Sequence, residues 1–312
     1  MAKKKSDNSK AIKSALSLLG DRGRTADQTP DIGVIPTSIN VLNHVVMGCG
    51  GLPRGRVVEI YAPPSVGKST LCYWLIGEVQ RQGGHCALFD AEGTYLADYG
   101  QGCGINNEQL ITPEFSLGNE ALFQIKKLLA SDILDLIVVD SVPNLQPEMG
   151  SETKEDKDPN MREKLERANM MSQFFSDIGG GFSMRTSKGS KKFIECPNTG
   201  EKIHKLRNKK TCLIFINHAK DKIGVMFGNP TTTPGGKGLH FASSIRIGME
   251  ESSKSKNKDE DGIHDFIISR VQAAKNKLAP PYGKCKIKMM RDGGVKVEGN
   301  DIEVEYEEEE DG

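Results

Sequence analysis

An α/β fold, a mostly parallel sheet with helices on both faces, is the class this sequence predicts, and three observations carry it. Apolar runs of strand length recur at residues 57–60, 85–89, 134–140 and 211–217. They are nearly unbroken rather than alternating, as strands covered on both faces are. Amphipathic stretches of helical period separate several of them, for example at 70–82 and 119–130, and strands alternating with helices favour parallel pairing.

The chain is organised around VVEIYAPPSVGKSTL, which begins at Val57. Val57, Val58 and Ile60 suit a buried strand. Pro63, Pro64 and Gly67 break the pattern, and Lys68, Ser69, Thr70 and Leu71 open a helix. Strand, tight loop and helix N-terminus form the setting of a phosphate-binding loop, whose backbone N–H groups converge on an anion. Residues Pro63, Pro64, Ser65, Val66, Gly67, Lys68, Ser69 and Thr70 are the nucleotide-binding candidates. Lys68 would meet the β- and γ-phosphates and the Ser69 hydroxyl would ligate Mg²⁺. One letter departs from the pattern: Ala62 stands at the first glycine, and its Cβ restricts the backbone to ordinary φ values.

Before this stretch, residues 1–10 are polar. Residues 11–19 place Ile12, Ala15, Leu16 and Leu19 on one helical face. So short a helix needs a surface to pack on, in its own core or on a neighbouring subunit. Residues 22–30 read as a linker, 32–35 as a short strand, 37–46 as a helix capped by Thr37 or Ser38, and 48–56 as a glycine-rich turn.

After it, residues 70–82 are helical and Gly83-Gly84 stops them. The strand at 85–89 ends in Asp90-Ala91-Glu92. A carboxylate just past a parallel strand lies at the sheet's ligand-binding edge, so Glu92 is a candidate base for water; the plain alternative is a solvated loop acid. The strand at 134–140 closes on Asp140, placed to hold the Mg²⁺ shell. Residues 148–167 are charged and aperiodic, an exposed loop running into a helix at 168–178. Residues 182–210 are strongly basic, with a hairpin formed by 193–196 and 202–206. Such a run is a solvated face or a phosphate-backbone contact. The strand at 211–217 ends in Asn217-His218. Residues 224–238 are rich in Gly, Pro and Thr yet carry Met226 and Phe227, which belong either to the core or against nucleic-acid bases. Strands follow at 244–249, 266–271 and 284–289, the last two around Lys275-Asn276-Lys277.

The chain has 312 residues, 37% hydrophobic and 27% charged, room for one large α/β domain with extensions or for two small ones. The formal net charge of zero hides a separation. Asp301, Glu303, Glu305 and residues 307–311 concentrate acid, which leaves the rest basic. This suits a nucleic-acid binder with an acidic tail that competes for its basic loops, or a merely solubilising tail. The seven cysteines are scattered without a C-x-x-C pair, which argues against zinc and for a reducing cytosol. There is no signal peptide and no apolar run of membrane-spanning length.

The segments GGLPRGRVVEIY with the phosphate loop, ALFDAEGTY, DLIVVDSV, ANMMSQ, LIFIN, KIGVMFGNPTTT and AAKNKLAPPYG occur in one order. In these segments, over about residues 35–297, the chain resembles the bacterial RecA strand-exchange recombinases. KIGVMFGNP is the most specific of them, since phosphate loops serve many activities.

The resemblance implies a DNA-dependent ATPase that uses ATP and Mg²⁺. It implies a helical homo-filament on single-stranded DNA, with nucleotide between subunits, that pairs the strand with homologous duplex DNA. Single-strand-binding and loader proteins are partners of such filaments. Glu92 matches the catalytic glutamate, Tyr99 a tyrosine stacked on adenine, and Asp140 the metal-associated aspartate. Lys275 and Lys277 match a lysine pair reaching the γ-phosphate of the adjacent subunit. Lys222, Gly224, Val225, Met226, Phe227, Gly228 and Asn229 fall in the second DNA loop. Arg162, Lys164 and Arg167 fall in the position of the first. His218 replaces a γ-phosphate-sensing glutamine, and its charge depends on pH. Arg291 replaces a second adenine-contacting tyrosine.

The family's C-terminal duplex-gathering domain has no counterpart, so the basic insertion 182–210 is expected to capture duplex instead. A compact, divergent member of this kind suggests a phage-encoded enzyme in a bacterial cytoplasm. The expected domains are an N-terminal docking segment (1–34), a RecA-like ATPase core (35–298) and an acidic tail (299–312). Two alternatives share the residues: a ring-forming, helicase-like ATPase, which electron microscopy distinguishes, and a non-catalytic recombination accessory, which an ATPase assay distinguishes.

Overall fold

The computed structural model describes residues 2–19, 25, 31–149, 159–179, 182, 194–195, 200–203, 208–221, 231–255 and 265–297. It divides into two units, Met1–Ile32 and Gly33–Gly312. In the first, helix α1 (Ala2–Leu19) begins earlier than the apolar period predicts, and Ile12, Leu18 and Leu19 are exposed on it.

The second unit opens with the antiparallel pair β1 (Val34–Ile35) and β2 (Leu52–Pro53). The helix expected at 37–46 contracts to a π-helical turn, Leu42–Val46. Neither expected cap is used as one. The Thr37 N–H and hydroxyl both donate to Asn43 Oδ1, and Ser38 donates from its backbone and hydroxyl to the buried Glu78 carboxylate at 2.6 and 2.9 Å.

The core follows in order: β3 (Val57–Ala62), α2 (Lys68–Arg81), β4 (Cys86–Asp90), α3 (Ala97–Gly102), β5 (Leu110–Ile111), α4 (Gly118–Ser131), β6 (Leu136–Asp140) and α5 (Pro159–Ile178). Next come β7 (Ile194–Glu195), β8 (Lys202–Ile203), β9 (Cys212–His218), β10 (Lys220–Asp221), β11 (Thr231–Thr232) and α6 (Gly236–Ala242). The last strands are β12 (Ile245–Lys254), β13 (Phe266–Asn276), β14 (Lys284–Met290) and β15 (Val295–Val297).

Nine strands form one sheet in the order β15-β14-β13-β12-β3-β9-β6-β4-β5. From β12 to β5 every pairing is parallel, and β12 to β15 add an antiparallel extension. Strand alternation divides the core in two. Val58 and Ile60 of β3 pack with Leu71, Leu75 and Ile76 of α2 on one face. Val57, Ile137 and Phe215 pack with α4 and α5, through Leu122, Ile125, Phe174 and Ile178, on the other.

The loop expected at 148–167 is corrected in its second half: α5 is helical from Pro159, a residue suited to a first helical turn. Met170, Met171, Phe174, Phe175 and Ile178 anchor its C-terminal half in the core, and the charged turns before them extend from that anchor. The expected hairpin in the basic insertion is present as β7 against β8, with Ile194 opposite Ile203.

Phe182 and Asn208 bracket this insertion. Both are buried, and the Asn208 N–H donates to the Phe182 carbonyl at 3.0 Å. The Asn208 amide also donates to Leu129 O and Thr211 Oγ1, while its oxygen accepts from the N–H groups of Lys210 and Thr211. It thereby ties the end of α4 to the start of β9. Asn208→Ala strands these buried groups and should lower stability by roughly 1–3 kcal/mol, read as a reduced urea midpoint at unchanged slope.

Candidate active site

The carboxyl ends of β3, β4, β6 and β9 open on one side of the sheet, where ligands bind in parallel α/β structures. Ala62 ends β3 opposite His218 of β9, and Asp90 of β4 lies opposite Asp140 of β6. Strand pairing therefore assembles residues far apart in sequence. Ala62 lies outside the left-handed backbone positions, so its Cβ is accommodated where the pattern has glycine. Two other loop residues do turn left-handed: Ser65 at φ 60° and Gly67 at φ 88°. The left-handed backbone at Gly67 is what favours glycine there; an added Cβ would also lie 2.5 Å from the flexible end of the Met289 side chain, which can shift.

A cavity of about 440 Å³ follows, lined by Pro64, Ser65, Gly67, Lys68, Ser69, Thr70, Glu92, Asp140, His218 and Ile267. Most of the predicted phosphate and catalytic residues thus meet in one place. Val66 turns into the core, and its carbonyl accepts from Ser269 Oγ at 2.8 Å. Lys68 Nζ donates to the Pro63 carbonyl at 2.8 Å. Burial lowers its pKa, opposed by the nearby charges of Asp140 and Glu92. Tyr99, on α3, shares a 2.7 Å hydrogen bond with Thr70 Oγ1 and packs edge-on against Tyr73. It is thus fixed beside the phosphate loop.

Asp140 is buried, and burial pushes its pKa up to about 6, against the Ser69 hydroxyl that donates to it. Its Oδ2 is buried without a hydrogen-bond partner. An orphaned carboxylate oxygen next to a serine hydroxyl fits a hard divalent cation. Among the described residues no cluster of three His, Cys, Asp or Glu could hold a metal ion by itself. A Mg²⁺ here would complete its shell with water and phosphate oxygens, as Mg²⁺ commonly does.

Sequence reading missed Ser141. Its buried hydroxyl donates to Glu92 Oε1 at 2.8 Å and lies 3.1 Å from Asn144 Oδ1. The same Glu92 oxygen is 3.4 Å from His218 Nε2. Asp90 shapes the loop, accepting from the N–H groups of Gly93 and Tyr95. A serine after a strand-ending aspartate carries no signal of its own in the sequence; only the adjacency of β4 and β6 supplies it.

Lys275 and Lys277 are not in this cavity. Lys275 belongs to β13, which runs on past the strand expected at 266–271; its ammonium sits on the His240 carbonyl, and Lys277 Nζ donates to Phe241 O at 2.7 Å. Both cations therefore meet the C-terminal end of α6, where positive charge is favoured. Burial, then the neighbouring Lys277 and Arg246, bring the Lys275 pKa down to about 8.

Of the first-loop candidates, Arg162, Lys164 and Arg167 all lie on α5. Arg167 is corrected: it is buried, donates from Nε to Leu145 O at 3.0 Å and pairs with Glu163, so it is a structural cation. Lys164 is exposed. The second-loop candidates Lys222, Gly224, Val225, Met226, Phe227, Gly228 and Asn229 lie outside the described residues. Their flanks are brought together, since β10 pairs with β11, Asp221 opposite Thr231.

The raised Asp140 pKa has a definite sign for stability. Folding holds its proton more tightly than the unfolded chain does, so the contribution is full below the usual 3.8 and is lost as pH rises through about 6. Asp140→Asn should therefore raise the thermal midpoint of the nucleotide-free protein at pH 7–8, converge with the parent near pH 4, and weaken Mg²⁺-nucleotide binding. A lower midpoint at pH 8 would contradict this account.

The chain is similar to known proteins over most of its length. The family model for the RecA N-terminal domain matches residues 8–196 and 198–296. Protein RecA of Herpetosiphon aurantiacus is 35% identical over 305 residues, covering 96% of this chain and 76% of the relative. Protein RecA of Chloroflexus aurantiacus is 35% identical over 279 residues, covering 88% and 69%. Protein RecA of Bacillus subtilis is 32% identical over 292 residues, covering 94% and 73%. With the match spanning nearly its whole length and the mostly parallel sheet in place, this chain belongs to the RecA family of recombination proteins.

Proposed function

We propose that the chain is a DNA-dependent ATPase that assembles head to tail as a helical filament on single-stranded DNA. ATP and Mg²⁺ bind between neighbouring subunits, and the filament pairs its strand with homologous duplex DNA. The observation that carries this reading is the separation of two cationic sets along β3. Lys68 follows the strand's end at Ala62. Lys277 is tied to its beginning: its N–H donates to Ser244 O, and the Ser244 N–H donates to Val57 O. Val57 and Ala62 are about 16 Å apart along an extended strand. One chain cannot close both sets on one triphosphate, whereas a head-to-tail neighbour supplies the second set to the first chain's cavity.

In this reading the loop N–H groups and Lys68 hold the phosphates, and Ser69 and Asp140 hold Mg²⁺, which neutralises phosphate oxygens. Ser141 fixes the Glu92 carboxylate, which orients water and accepts its proton. Lys275 and Lys277 of the next subunit offset charge developing on the leaving phosphate. His218 stands at the end of β9, touching Glu92 and leading directly into the β10–β11 stem, so phosphate occupancy bears on the segment 222–230. That segment, with Arg162 and Lys164, contacts DNA. Residues 1–34 dock on a neighbour, 35–298 form the ATPase core and 299–312 an acidic tail.

The test uses two inactive chains. Glu92→Gln lacks the base, and a Lys275→Ala/Lys277→Ala chain lacks the second cationic set. Each alone should show little DNA-stimulated hydrolysis. Mixed equally on single-stranded DNA, about a quarter of junctions carry both intact halves, so activity should reappear to that extent. A mixture as inactive as its parts, or rings instead of filaments by electron microscopy, would refute the reading.

A further inference from the structure

Beside the phosphate cavity lies another, of about 400 Å³, lined among the described residues by Asp265, Met290, Arg291 and Asp292. Its size falls in the roughly 300–1,000 Å³ range of small-molecule sites. Strand pairing sets the two cavities next to each other. Ile267 lines the first, and its partner across the sheet, Met289, lies against Gly67 of the phosphate loop. Asp265 comes two residues before Ile267, about 7 Å along the strand direction, and Met290 follows Met289. The turn 290–293 also packs on the end of α3. The Asp292 carbonyl leaves no room for a Cβ on Gly102, and a Cβ on Gly293 would lie 2.6 Å from Cys103 N. The same helix carries Tyr99, whose hydroxyl is tied to Thr70 beside the phosphates. Burial raises the Tyr99 pKa, the Thr70 contact lowers it, and Asp292 is among the charges that raise it. Tyr99 therefore stands between the phosphate loop and this turn.

The backbone of the turn is spent on itself. The Gly293 N–H donates to Met290 O, the Met290 N–H to Gly294 O and the Arg291 N–H to Asp265 O. Asp292 Oδ1 accepts from the Gly294 N–H at 3.1 Å. Recognition falls to side chains, and the 2.9 Å bond from Arg291 to Asp265 sets a donor fork and an acceptor on neighbouring residues. A guanidinium has five N–H donors, so one protein partner does not exhaust it. Resting on the ATPase reading above, we propose that this cavity receives the nucleotide's base and admits guanine as well as adenine, so that GTP serves beside ATP. Stacking on Tyr99 is indifferent to the base, since every base has a π face. Edge contacts make the choice. An arginine fork is the commonest partner of guanine O6 and N7, whereas adenine offers it N7 alone and places an amine beside it. The Asp265 carboxylate, an acceptor only, takes that amine or the N–H groups of guanine. Pyrimidines lack N7.

The test is equilibrium binding of ATPγS and GTPγS to the full chain with Mg²⁺, without DNA, together with the thermal midpoint each nucleotide produces. The unaltered chain should bind the two within about tenfold of each other, and both should raise its midpoint. Glutamine pairs with adenine N6 and N7, so Arg291→Gln should move the preference toward ATPγS by about fivefold or more. Arg291→Lys, which keeps the charge and loses the fork, should move it the same way. Arg291 is exposed, so both variants should keep the unliganded midpoint. Tyr99→Ala should weaken both nucleotides by a similar factor. A preference for ATPγS beyond about tenfold in the unaltered chain refutes the proposal. So does a preference unmoved in both Arg291 variants, or a Tyr99→Ala chain that binds as its parent does. Failure of the unaltered chain to bind either nucleotide refutes instead the ATPase reading.

Discussion

Parallel register is the constraint on which the rest of this molecule depends. Pairing β3 with β9 sets Ala62 against His218, and pairing β4 with β6 sets Asp90 against Asp140. A slip of one residue in either would turn each strand's side chains to the other face and dissolve the cavity. The register is specified from both sides, because both faces of these strands are buried under helices. The site is thus a by-product of core packing at its edge, and its precision comes from the rigidity of the strands behind it.

A buried polar cluster marks the same register further along the sheet. Glu59 is fully buried on β3. Arg246 Nε donates to it at 2.5 Å from β12, and the Asn217 amide donates to it at 3.0 Å from β9. Arg246 also lies over the Tyr61 ring at 4.6 Å. Such a pair adds little net stability, since desolvation offsets attraction. Its consequence is specificity: any other register leaves a charge alone in the core. The Asn217 amide further donates to the Pro234 carbonyl, so the cluster also anchors the far flank of the segment 222–230. The central strand, its neighbours β9 and β12, and the flank of the segment 222–230 are joined through three side chains.

The polar economy of the cavity points the same way. Lys68 is held by a carbonyl, Asp140 keeps one oxygen without a partner, and Glu92 shares its Oε1 between a serine and a histidine. Buried polar groups are ordinarily satisfied. Asp140 Oδ2 is the cavity's exception among the described residues, and a bound cation would satisfy it.

Much of this was legible in the sequence. The phosphate loop is a local object: a strand, a left-handed turn and a helix start within fifteen residues, all set by short-range backbone preferences. Unbroken apolar runs likewise foretold the buried strands, and the acids singled out after them, Glu92 and Asp140, line one cavity with the glycine-lysine-serine loop. Other features depended on partners distant in the chain. Arg167 looked like a surface cation and is buried, because α5 begins early and turns that position toward Leu145. Ser141 acquires meaning only when β6 lies beside β4. Periodicity tells which face a residue occupies; only packing decides what stands across from it, because strand register is chosen by the summed burial of whole faces rather than by any local run of residues.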